Sequence, residues 1–481
     1  MKFFNFSVII LLGLSCSVSH VTGKKQFLLM SEAQEIELGK QYDPQVIATF
    51  GEYQDAELQA FVQQKGLELA KISHWRDLDY HVKVLDSPVV NAFAIPGGYI
   101  YLTRGILAQF NNEAELAGVI GHEMGHITAR HMASQQTMQQ LGQLLIVAGM
   151  IASEDFRPYA GYAMAGMQLL FLKFSRDDER EADRLGVEYS SKIGYDAHKM
   201  ADFFNVLNKM SIASEQGGVP TFLSTHPDPG DRYTAVNQYS TVWQDSLAFT
   251  SWKVNQDSYL RLVDGIVYGE DPRQGYVEGN TFYHPELRFK YAFPTGWQLE
   301  NMPAQVNMAP KDGKALMVFT HAPGSTLQEA AWNTLRELEL NLQQSRNATV
   351  HGMPAMVTVS GQVTQDPYSG EQQAIKVLSY FITYNNANYV FHGVTADADF
   401  NAYTRIFESS MASFDKLTDP AKLNVKQKKI IVKSVLKSGT VSEAFKALGV
   451  AQNRMNEMAL LNNLELTAQV SAGRLVKIVG E

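Results

Sequence analysis

A single cysteine, Cys16, is all that the 481-residue chain offers. No internal disulfide can therefore brace it, and its stability must come from packing and bound metal. No apolar run approaches the roughly 20 residues that crossing a bilayer requires. Blocks of basic residues are missing too, and the formal net charge is −9, which argues against a nucleic-acid partner held through phosphates. Low-complexity tracts and internal repeats are not evident. What remains is an ordinary globular composition, 45% hydrophobic and 19% charged, long enough for two to four separate cores.

The N-terminus sets the compartment. Met1 and Lys2 precede the apolar run Val8 to Leu14, and small residues follow from Ser15 to Ser19. That order is a secretory leader, and the working boundary is residues 1–23. Cleavage before Cys16 would leave an acylated lipoprotein, which Ser15 suits and Gly13 does not. Cleavage after Ser19 or Gly23 would discard the cysteine. Either exit places the protein outside the cytoplasm, in the periplasm or cell envelope.

Four segments follow. Residues 24–243 carry mostly helical periodicity; 244–280 form a connector with one helical stretch, Tyr259 to Val267. From 281 to 416 aromatic and β-branched alternation (FYHPELRFKYAFPTGW, VLSYFITYNNANYVFHGV) predicts antiparallel strands, interrupted by helical spacing over Leu327 to Leu342. A charged linker, 417–427, leads to a last unit, 428–481. Within the first segment, VVNAFAIPGGYIYLTRGIL predicts a hairpin turned at Pro96-Gly97-Gly98. Pro96 suits an edge strand, and an open edge can pair with an extended substrate backbone. The Met-, Gly- and Leu-rich stretches 141–151 and 159–174 read as a packed helical hairpin.

The chemistry centres on His122-Glu123-Met124-Gly125-His126. On a helix, positions four apart share a face, so two imidazoles can grip one cation. Glu123 lies about 100° further round, able to act on water without ligating. Asn112 and Glu115 predict the start of this helix, taken to run over 112–134. A catalytic zinc site needs a third ligand. His131 stands about 180° round the same helix from His122 and is rejected. Ser175-Arg176-Asp177-Asp178-Glu179-Arg180-Glu181-Ala182-Asp183 predicts a second helix, capped by Ser175 and Asp178 and ended by Gly194. Glu179 and Asp183 share a face while Glu181 is turned well away, and geometry alone leaves open which of the first two ligates. His226, in Ser224-Thr225-His226-Pro227-Asp228-Pro229-Gly230-Asp231-Arg232, is a further candidate.

With HEMGHITARH, SRDDEREADRLG and THPDPGDR in this order, preceded by NAFAIPGGYIYLTRG, residues 30–243 resemble the gluzincin family of the CAAX prenyl protease and HtpX. Within it they are nearest the soluble periplasmic branch containing the β-barrel-assembly-enhancing protease. The resemblance implies a mainly α, zincin-type catalytic domain with a small β-sheet, one Zn2+ ion per chain, and Glu179 as the third ligand beside His122 and His126. It also implies Asp183 as a partner orienting a histidine, and His226 and Arg232 near the metal. Glu123 would be the general base. His226 or Arg232 would stabilise the oxyanion, or His226 would cap the metal until substrate displaces it. Residues 281–416 resemble PsbP-like α+β domains, an antiparallel sheet with helices on one side. His284, His321, His351 and His392 there lack ligand spacing and read as structural. Residues 428–481 resemble a βααβ LysM-type module lacking the usual Asp between Gly439 and Thr440, which leaves peptidoglycan contact and a retained fold without glycan as alternatives.

The expectation is thus an exported zinc metalloendopeptidase acting on unfolded or misassembled envelope proteins. The competing reading is a cell-wall-associated binding protein with secondary or no proteolysis.

Overall fold

Helix starts follow the side chains that can satisfy their free N–H groups. In the computed structural model, which describes residues 16–152, 174–213, 221–227, 231–365 and 372–481, Asn112 accepts from the Glu115 N–H to open α4 (Glu113–Thr128), with α1 (Glu32–Phe50), α2 (Ala56–Ala70) and α3 (Arg104–Gln109) before it. The Glu115 carboxylate reaches back to the Asn111 N–H rather than to that of Asn112. Every residue of α4 is buried. The expected single helix over 112–134 is two. Arg130 takes a positive φ of 58° after the α4 C-cap at Ala129, and α5 (His131–Ala152) starts afresh. Neither Gly nor Pro marks that break. Residues 159–173 of the expected helical hairpin lie outside the described residues, as do residues 1–15 and 228–230.

Ser175 and Asp178 form the expected capping box of α6 (Arg176–Lys192), and Gly194 follows its end at φ 87°. There follow α7 (His198–Ala213), α8 (Thr221–Thr225), α9 (Arg232–Ser246) and α10 (Gln256–Leu262). The last starts earlier than the helix expected in the connector and ends earlier, sharing with it only residues 259–262. Strands β3 (His81–Leu85), β4 (Ala92–Ile95) and β5 (Tyr99–Thr103) form a sheet in the order β3-β5-β4. The β4–β5 hairpin turns at Pro96-Gly97-Gly98, and β4 has the outer position. Ahead of all this, β1 (Cys16–Val18) pairs with β2 (Lys25–Phe27).

The second region holds β6 (Tyr276–Glu278), β7 (Thr281–His284) and β8 (Phe289–Ala292), which with β16 (Asp415–Lys416) make a small sheet. Beside it, β9 (Gln298–Asn301), β10 (Gln305–Ala309), β11 (Ala315–His321), β12 (Asn341–Val350), β13 (Met353–Gln365), β14 (Gln372–Tyr384) and β15 (Ala387–Ala396) build an antiparallel sheet ordered β12-β13-β14-β15-β11-β10-β9. Its helices do not share one side, contrary to expectation. Phe381 and Val390 pack with Ala330 and Ala331 of α11 (Leu327–Glu337). Their neighbours Tyr380, Ile382 and Phe391 point the other way, toward Phe407 of α12 (Phe400–Met411), as period-two alternation requires.

At the C-terminus, β17 (Lys429–Ser434), α13 (Val441–Ala447), α14 (Met455–Leu461) and β20 (Leu475–Gly480) follow the βααβ order, β17 and β20 pairing antiparallel; the short β18 (Gly439–Thr440) and β19 (Gln469–Val470) pair beside them. This unit does not stand apart. Its Ile430, Phe445, Met458 and Val476 belong to one buried cluster with Leu116, Val119 and Ile120 of α4. Lys477, fully buried, donates to the carbonyls of Ala108, Gln109 and Phe110 at the end of α3, at 2.8, 3.1 and 2.8 Å. Burial pushes its amine pKa well down, against the pull of Glu115.

Candidate metal centre

Two helices carry the centre, and their backbones nearly touch. Gly121 faces the backbone of Gly186 on α6, and Gly125 faces the backbone of Ala182 and the Leu185 Cβ. That approach brings Glu179 and Asp183 against His122 and His126. One ligand atom each from His122, His126, Glu179 and His226 lies within 4.8 Å of the others, all four residues buried.

His122 and His126 are prepared as neutral donors. Burial holds the His122 and His126 pKa values well below the usual imidazole range. His122 Nδ1 lies 2.9 Å from Asp183 Oδ1, which leaves its Nε2 for the cluster. The two Nε2 atoms are 3.1 Å apart. His226 Nδ1 lies 3.0 Å from Glu179 Oε1 and 3.3 Å from His122 Nε2, its ring stacked on Phe222 at 4.7 Å. Burial would depress His226, but the Glu123 and Glu179 carboxylates outweigh it and hold its pKa above the usual value. Glu179 stays low for the converse reason: burial raises it, and His226, His122 and Arg232 pull it back below the ordinary range.

Glu179 Oε2 and both Glu123 oxygens are buried without a side-chain hydrogen-bond partner among the described residues. Burial pushes Glu123 up to about 7, against the downward pull of His226, whose Nε2 stands 3.6 Å from Glu123 Oε1, with Arg232 and the Ala94 backbone adding to that pull. Lone pairs of nitrogen and carboxylate oxygen thus converge with too few protons to satisfy them, the donor set that suits zinc.

Arg232, the first residue of α9, is buried and donates to Asp183 at 2.7–3.1 Å through Nε and Nη2. Its guanidinium lies 3.7 Å from the Phe204 ring centre. It is therefore engaged with the carboxylate behind His122. His131 stands outside the cluster, as expected, but it does not face away. The break at Arg130 cancels the helical phase on which that rested, and His131 Nδ1 lies 3.0 Å from His126 Nδ1. Glu181, turned from the cluster as expected, reaches His131 Nε2 at 3.4 Å. No feature of the sequence pattern pointed to this pair.

Residues 56–240 match the model of peptidase family M48. The chain is similar to the β-barrel assembly-enhancing protease of Escherichia coli, 29% identical over 211 residues, which are 42% of this chain and 43% of that protein. The putative β-barrel assembly-enhancing protease of Vibrio cholerae is 37% identical over 154 residues, 30% of this chain and 31% of its own length. Mitochondrial metalloendopeptidase OMA1 of Arabidopsis thaliana is 33% identical over 180 residues, 37% and 35%. The chain thus spans less than half the length of these relatives. A cyanobacterial PsbP structure from Synechocystis matches 28% of this chain and 91% of its own at 10% identity, with a TM-score of 0.23, too low to carry a fold assignment.

Proposed function

We propose that the chain is an exported zinc metalloendopeptidase whose metal is held by His122, His126 and Glu179, with Glu123 as general base. The observation that carries this is the four-residue ligand cluster beside a fully buried Glu123, 3.6 Å from His226. A zinc ion in such a set supplies Lewis acidity and lowers the pKa of water at an open position. Glu123, pushed up to about 7 by burial, takes the proton of the attacking water near neutral pH and returns it to the leaving amine. The outer strand β4 offers its edge to an extended substrate backbone. Asp183 fixes the His122 tautomer and Arg232 fixes Asp183, which favours a holding role for Arg232 over an oxyanion role. His226 lies within the ligand cluster, which favours the capping role and a latent resting state.

The substrates we propose are unfolded or misassembled envelope proteins, in keeping with the names of the relatives and with the leader. No described helix is long and apolar enough to cross a membrane. The hairpin of β1 and β2 favours a leader exit before Cys16, since removal of residues 1–23 would delete β1. That strand is tied in: Arg130 donates to the Ser17 hydroxyl, and His20, just beyond, stacks on Trp75 at 4.5 Å. A lipid anchor at Cys16 follows from that exit. The core shared between the C-terminal unit and α4 counts against a free cell-wall tether.

Digestion of a denatured protein tests the activity. Wild type should cleave it, and Glu123→Gln should bind zinc equally yet lose about 10²–10⁴-fold in rate, the usual worth of a general base. Equal cleavage by both proteins removes the assignment.

A further inference from the structure

The Nδ1 of His126 meets no carboxylate among the described residues. His122 reaches Asp183 directly, but the Nδ1 of His126 meets another imidazole, His131 Nδ1, at 3.0 Å with the rings 75° apart. His131 is 4% exposed, and its remaining nitrogen faces Glu181 Oε2 at 3.4 Å and Asp178 Oδ1 at 3.6 Å. Two imidazole nitrogens at that separation share one proton, and its position is fixed by what each ring must do elsewhere. His126 directs Nε2 to Glu179 and His122, so its Nδ1 carries the hydrogen and donates to His131. His131 then accepts at Nδ1, carries its own hydrogen on Nε2, and donates to Glu181.

We propose that His131 is a positioning residue, and that Glu181, His131 and His126 form a hydrogen-bond relay that fixes the tautomer and ring plane of the second metal-binding imidazole. The proposal rests on the metal-site reading above. One helix, α6, then supplies three distinct functions: Glu179 to the metal, Asp183 behind His122, and Glu181 behind His126 at one remove. The helix break at Arg130 is what makes the relay possible, because an unbroken α4 would carry His131 to the opposite face.

Zinc affinity, measured by competition with a chelating dye, tests this without reference to proteolysis. Wild type, His131→Phe, His131→Asn and Glu181→Ala are compared, with thermal unfolding of each metal-free form alongside. His131→Phe fills the volume but cannot accept, and should lose about 10- to 100-fold in affinity, the usual effect of losing a ligand's orienting partner. His131→Asn places an amide oxygen where Nδ1 stood and should recover most of that loss. Glu181→Ala should weaken binding less, and adding it to His131→Phe should change nothing further, since the relay is already cut. The visible spectrum of the cobalt-loaded protein should shift for His131→Phe and return for His131→Asn.

A purely structural role would lower the unfolding temperature of both His131 variants without separating them in affinity, and that result overturns the relay. So does wild-type affinity in His131→Phe. A wild type that takes up no zinc overturns the metal-site reading, and the relay with it.

Discussion

Gly186→Ala should displace the metal ligands without touching any of them. A methyl on Gly186 would lie 2.9 Å from the His122 backbone nitrogen and 3.1 Å from the Gly118 oxygen and the His122 Cα. Relaxed contacts with carbon fall near 3.5–4.0 Å, so α6 must retreat by roughly half an ångström or more. Both walls are backbone, so no side chain can swing aside. A helix moves as a body, and the retreat carries Glu179 and Asp183 with it, whereas ligand distances tolerate about ±0.2 Å. Two stability terms oppose each other in the metal-free protein. Alanine gains about 1 kcal/mol of helix propensity over glycine, and overpacking costs about 1–3 kcal/mol. The net change should be a loss within about 2 kcal/mol, while zinc affinity falls at least about tenfold. Thermal unfolding without metal and chelator competition with it measure the two separately. Gly121→Ala, whose methyl meets the Gly186 oxygen at 3.1 Å, should act in the same direction and less. Wild-type zinc affinity in Gly186→Ala would show that the helix contact does not set the site's geometry, and would refute the reasoning.

Two further outcomes follow from the site and from the second core. His226→Ala should raise basal cleavage of a denatured substrate by about tenfold, equivalent to removing roughly 1.4 kcal/mol of competition at the metal; a fall in rate would assign His226 to the oxyanion instead. His392 is buried in the large sheet with its pKa pushed down to about 4 from an ordinary 6.5. Below pH 6.5 the unfolded chain takes up a proton that the folded one refuses, so stability present above 6.5 is lost as pH falls toward 4, by up to about 3 kcal/mol. Urea unfolding at pH 7 and pH 4.5 should show that loss, and His392→Gln should reduce it, the part due to His284, likewise pushed down to about 4, remaining; an unchanged slope in the variant would place the acid sensitivity elsewhere.

Much of the centre is local, and the local part was legible. Asn112 and Ser175 start their helices through their own side chains, and the four-residue spacings of His122 and His126 and of Glu179 and Asp183 set which groups share a face. What escaped prediction depends on events that leave no periodic trace. The reversal at Arg130 rests on one backbone angle of a residue that carries no turn preference, so His131 was put on the wrong side. Helix α11 was expected from its spacing, but the face of the sheet it covers depends on which strand it follows, and the side chains of β14 and β15 are apolar on both faces. The apolar residues of the C-terminal unit look the same whether they fill its own centre or meet α4.

That last ambiguity bears on how such a chain is assembled. The amine of Lys477 closes off three peptide oxygens immediately ahead of the helix that bears His122 and His126. Residues far along the chain therefore finish the seat of that helix, across sequence separations of 367 to 369 residues. Without them α4 lacks part of its apolar cover, so the centre takes its final form only when the unit of residues 428–481 has docked. Docking of that unit and maturation of the centre thereby become one event.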